Sequence, residues 1–184
     1  MTKTKRPKLT IEMVPSSSWG ANLAQSLKGP RWDAIRKVAA DKAGNRCELC
    51  GGVGTRHNVE VHERWEYDET TAVQRLVGLV ALCPACHEVK HMGRASNIGR
   101  LSQALAHLAS VNDWTANEAM AAWNEAIVEF RRRNEIEWTL ELSLVARYGI
   151  DPPTAEELAA GRAFRAGQIE RERRPKPDKG RRPR

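Results

Sequence analysis

The chain has 184 residues, 41% of them hydrophobic, which allows one domain of moderate size with a small core, plus tails. No apolar stretch follows the charged N-terminus and no run reaches the roughly 18 apolar residues of a membrane span. Neither a signal peptide nor a transmembrane helix is expected, and a soluble, cytoplasmic protein is. The net charge of +7 sits at the ends: residues 1–8 carry +4 and 162–184 carry +7, while 9–161 carry −4. Such ends gather around nucleic-acid phosphates by counterion release, or serve only as solvated tails.

The first predicted element is a short strand over Lys8–Pro15, where Leu9, Ile11 and Met13 alternate. Ser17 or Ser18 is placed to cap a short helix carrying Trp19, Leu23 and Leu27. Pro30 suits the first turn of the next helix, with Trp32, Ile35, Val38 and Ala39 on its apolar side and Gly44 as its stop. Residues 51–58, with three glycines, read as a loop. Strands follow, one beginning at Val59–Val61 and one over Leu76–Leu82, and then a helix from Pro84 to about His91. Ile98–Ser110 predicts another helix. Thr115 and Glu118 form a capping box for the next, which carries Met120, Trp123, Ile127 and Phe130. Arg131-Arg132-Arg133 closes that helix with charge that favours a helix C-terminus. Trp138, Leu140, Leu142 and Leu144 alternate as a strand, which is expected to pair with the N-terminal one. A short helix is placed near Thr154–Ala166, and the Arg/Pro-rich end from about Gln168 is expected to be disordered. The division is a basic tail at 1–8, one globular domain at 9–150 and a basic tail at 151–184.

The four cysteines form two pairs, Cys47-Glu48-Leu49-Cys50 and Cys83-Pro84-Ala85-Cys86. Two CxxC pairs brought together fill the four positions of one zinc ion, which makes a closed structural site. A reducing compartment favours metal over disulfide here. His87 and His91, four apart on a helix, project from one face. His62 is expected to end a strand that packs against that helix. Three imidazoles then surround a second divalent ion (Mg, Mn, Ni or Zn) with positions left for water and phosphate. His57 and His107 fall outside any pattern. Arg64, Lys90 and Arg94 lie near these histidines and are candidate phosphate contacts, and Trp65 either stacks on a base or belongs to the core.

Knuckle, two strands, knuckle and helix, with Glu60-Val61-His62-Glu63 on the first strand and Leu82-Cys83-x-x-Cys86-His87 leading into the helix, resembles the HNH nuclease family. The resemblance covers about residues 44–95. It implies an α+β, mainly helical fold: a ββα-metal core with a four-cysteine zinc site, flanked by helices and short terminal strands. It implies hydrolysis of phosphodiester bonds in DNA, or in RNA. His62, His87 and His91 fall at ligand positions, and Glu63 at the position of the family's general base. Two positions depart from the family pattern, because the base is usually His rather than Glu63 and the Asn that orients it is replaced by Gly78. Two functions are therefore expected in competition: a metal-dependent endonuclease with His62, His87 and Glu63 in its catalytic site, or a non-catalytic zinc module that binds nucleic acid or a protein partner.

Overall fold

The computed structural model describes residues 6–55 and 58–173. An irregular segment, 8–15, and a 3-10 turn at Ser16–Ser18 lead into helices α1 (Leu23–Ser26) and α2 (Gly29–Lys42). Strands β1 (Glu60–Asp68) and β2 (Val73–Leu82) follow. Next come α3 (Pro84–Lys90), α4 (Met92–Asn97), α5 (Leu101–Asn112) and α6 (Ala116–Arg133), then β3 (Thr139–Glu141) and α7 (Ala155–Arg173). The fold is α+β, with helices outweighing one sheet of order β1-β2-β3. Among the described residues no helix is long and apolar enough to cross a membrane.

β1 and β2 form an antiparallel hairpin paired from Glu60↔Leu82 to Asp68↔Val73. One extra residue, Val77, lies between the pairs Arg64↔Gly78 and Trp65↔Leu76. Such a bulge shifts the alternation of the strand that carries it. Before it, Leu76 joins a core with Leu23, Leu27, Ile35, Leu142 and Val145. After it, Val80 and Leu82 turn to the opposite core, with Leu9, Val89, Met92, Leu108, Trp123 and three of the cysteines. β1 has no extra residue and alternates throughout. His62 accordingly faces the second of these cores, while Trp65 packs on the first. Trp65 is thus part of the core.

Four expectations are corrected. Residues 8–15 join no strand, and Lys8 and Leu9 lie in a bend. Leu9 is still fully buried, with Ile11 and Met13 packed nearby, so the alternation reported the side-chain facing and not a ladder. The segment is held by the side chain of Asn112, which accepts from Lys8 N at 2.8 Å and Leu9 N at 3.0 Å and donates to Leu9 O at 2.7 Å. Asn22, not Ser17 or Ser18, caps α1. β3 pairs in parallel with β2 at Val73↔Thr139, not with the N-terminal segment. Finally, α7 runs through Arg173, beyond the residue where disorder was expected. It belongs to the folded body: a Cβ at Gly20 or at Gly161 would collide with the backbone of the other, so α7 seats through glycine on glycine. Arg31 reinforces the contact, bonding Glu157 at 2.5 Å and Asp151 O at 2.8 Å. Residues 174–184 lie outside the described residues.

The capping box at Thr115 and Glu118 is formed as its spacing predicts. Arg132 pairs with Glu129 and Glu69, and Arg133 lies 3.8 Å from the Tyr67 ring centroid, so the arginine run is tied into local contacts.

Candidate metal centres

The first knuckle is a turn closed by Cys47 N to Gly52 O at 2.9 Å and Gly51 N to Cys47 O at 2.8 Å, with Gly51 at positive φ. Glu48 docks it onto the end of β2: its backbone N donates to Ala81 O at 2.9 Å, and its carboxylate accepts from Ala81 N at 2.8 Å. That places the first pair beside Cys83 and Cys86, which open α3. The four sulfurs lie within 4.8 Å of one another, and Cys50 and Cys83 are 3.6 Å apart. Two thiolates on a tetrahedral zinc at about 2.3 Å are separated by about 3.8 Å, so the donor set fits zinc. Burial pushes the Cys50 and Cys86 thiols up, so zinc uptake releases protons.

His62, His87 and His91 form a second group, with one ligand atom from each within 4.8 Å of the others. β1 supplies His62, which is 3% exposed, and α3 and its C-cap supply the other two. His87 Nε2 and His91 Nε2 are 3.2 Å apart. Two nitrogens on one tetrahedral ion at 2.0–2.1 Å lie about 3.3 Å apart, so these residues fit a divalent ion. Burial, followed for His91 by the charge of His87, holds both imidazoles below their usual range, His91 at about 3. Neutral imidazoles are the form that binds metal. Glu60 contacts His87 Nδ1, which leaves Nε2 for the ion.

The group opens into a cleft of about 1360 Å³ between α2 on one side and α3–α4 on the other. Arg94, exposed and one turn past His91, lines it, as does Lys37 from α2.

The other candidate residues fall differently. Strand alternation sends Glu63 to the face opposite His62, where its carboxylate accepts from Leu23 N at 2.8 Å at the start of α1. Burial raises its pKa. Glu63 is thus built in as the acceptor for a helix N-terminus. Glu63→Ala should cost about 1–3 kcal/mol by orphaning Leu23 N, while Glu63→Gln keeps the acceptor and should match wild type in a denaturant melt. Lys90 is 7% exposed and donates to Thr10 Oγ1 at 2.9 Å, so it is not free to meet phosphate. Arg64 is exposed, outside the cleft lining, with its side chain across Gly78. Gly78 faces Arg64 in the hairpin and has no polar group to offer.

Two residues join the centres without a motif to announce them. Glu12, from the N-terminal segment 8–15, lies 3.3 Å from His62 Nε2. His107, on α5, places Nε2 3.2 Å from Cys86 Sγ, a contact suited to a thiolate carrying extra charge. Spacing along the chain could not reveal either, because both contacts are made by packing between distant elements. His57 lies outside the described residues. No protein-family model, curated protein or solved structure matches the chain.

Proposed function

We propose that the protein is a metal-dependent phosphodiesterase of the HNH type, acting on nucleic acid, with DNA as its first candidate substrate. The observation that carries this reading is the convergence of His62, His87 and His91 at an open cleft, beside a four-cysteine cluster that needs no further ligand. A purely structural zinc module has no use for the second group. The order β1, β2, α3, with ligands on the first strand and the helix, supports a ββα-metal core. Zinc at the cysteines is the structural ion, and the histidines would hold a second divalent one.

When bound, that second ion supplies charge to polarise a phosphodiester and favour an attacking water. The remaining work belongs to the chain. Glu60 orients His87 through Nδ1 and, one-third exposed, is the carboxylate that reaches the histidines from the cleft. Glu63 also lines the cleft, but its carboxylate is engaged by Leu23 N, so Glu60 takes the role of proton acceptor. Arg94, whose charge is felt by both His87 and His91, meets a phosphate oxygen. Arg94→Ala should weaken nucleic-acid binding and lower its salt slope by about 0.9 for duplex DNA. An unchanged slope in a fluorescence-anisotropy titration would remove Arg94 from the interface.

The engagement of Glu63 by Leu23 N and the bare Gly78 favour a second reading, a zinc-stabilised module that binds nucleic acid or a protein partner without cutting. Incubating zinc-loaded protein with supercoiled plasmid and Mg²⁺, Mn²⁺ or Ni²⁺, against EDTA, separates the two. Metal-dependent nicking supports the nuclease. Plasmid binding without nicking under every ion leaves the binding module.

A further inference from the structure

We infer that Glu12 is a positioning residue of the histidine centre, and that it makes His62 a ligand through Nδ1 while His87 and His91 bind through Nε2. The inference rests on the histidine group holding a divalent ion, and not on cleavage.

Residues 8–15 form no strand, yet they are pinned at both ends. Asn112 clamps Lys8 and Leu9. At the far end, Ser16 N donates to Asn134 Oδ1 at 2.8 Å and the Trp19 indole donates to Val14 O at 3.0 Å. Between these anchors, Glu12 reaches under β1. Its carboxylate lies 3.3 Å from His62 Nε2 and 3.7 Å from Lys90 Nζ, and it also receives the Trp65 backbone N–H. Lys90 is fixed in turn by Thr10, two residues before Glu12. A carboxylate 14% exposed and held by three donors cannot turn to follow another partner.

The consequence for His62 is geometric. An imidazole whose Nε2–H donates to a carboxylate has only Nδ1 left as a lone-pair donor. His62 is almost wholly buried, with its ring edge-on to both other imidazoles, at centroid distances of 5.4 Å and 5.0 Å. At His87 the same logic runs in reverse, because Glu60 occupies Nδ1. The centre is therefore flanked by two carboxylates, Glu60 at the cleft and Glu12 beneath it. Each fixes one imidazole and adds negative charge near a cation. The simpler role for Glu12, as counterion to Lys90 alone, leaves the His62 tautomer unspecified. That difference makes the two roles separable.

Two measurements test this. Long-range ¹H–¹⁵N spectra of the zinc-loaded protein, with Zn²⁺ also supplied to the histidine site, report which ring nitrogen of His62 is protonated. Calorimetry with Mn²⁺ gives the affinity of that site in wild type, Glu12→Gln and Lys90→Met. The expected results are a His62 proton on Nε2, and an affinity lowered about 10- to 100-fold in Glu12→Gln. Lys90→Met should keep the proton on Nε2. Wild type that takes up no second ion overturns the reading of the histidine group, and this inference with it. A second ion bound with the His62 proton on Nδ1 overturns the inference alone, and so does unchanged affinity in a folded Glu12→Gln. The wild-type spectrum decides even if that variant fails to fold.

Discussion

Cys86→Ser is expected to abolish the cooperative fold. Cys86 is fully buried, opens α3, and shares its core with Leu82, Val89 and Met92. Binding at structural zinc sites contributes on the order of 10 kcal/mol or more, comparable with the whole stability of a domain of this size. The sulfurs hold the first knuckle against the end of β2, and the same strand positions His62. Losing one sulfur therefore damages both centres. Cys47→Ser should act alike, because Cys47 is buried in the same cluster. Thermal melts followed by far-UV circular dichroism, with elemental analysis of zinc, provide the check. A variant that melts within a few degrees of wild type would mean that the cysteines do not hold a structural ion.

His87→Ala is expected to lose at least about 10³-fold in cleavage rate, about 4 kcal/mol of transition-state stabilisation, while keeping zinc and fold. His87 is a partly exposed residue at the cleft, so its removal leaves no core cavity. It lies next in sequence to Cys86, but its ring points away to His91 and Glu60. Single-turnover nicking of plasmid at saturating Mn²⁺ measures the loss. A folded, zinc-loaded His87→Ala that cuts at the wild-type rate would show that the histidine group is not the source of cleavage.

The cysteine pairs and the His87–His91 pair were legible in the sequence because their residues come in short, regular spacings, whereas His62 was joined to them only through the resemblance. CxxC needs one turn of chain, and His87 and His91 need one turn of helix. The capping box at Thr115 was legible for the same reason, since each partner is three residues from the other. What depended on packing between distant elements was not. Glu12 reaches His62 across fifty positions, and Asn112 clamps Leu9 across more than a hundred. Residues 8–15 alternate like a strand, yet they join no ladder, although β1 is an outer strand of the sheet. The role of Glu63 turned on strand alternation: neighbours on a strand face opposite sides, so the carboxylate next to His62 meets Leu23 N at α1. The bulge at Val77 left no mark in composition, yet it decides which core each half of β2 serves.

The account depends on two separate centres, one closed by four sulfurs and one open at three imidazoles. Metal stoichiometry measures this directly. Purified protein is analysed for zinc and then titrated with Mn²⁺ by calorimetry, beside a variant carrying His62→Ala, His87→Ala and His91→Ala together. The account predicts one tightly held zinc in both proteins and one further, weaker ion in wild type alone. Equal uptake of the further ion by the folded triple variant, or none by wild type, would contradict it.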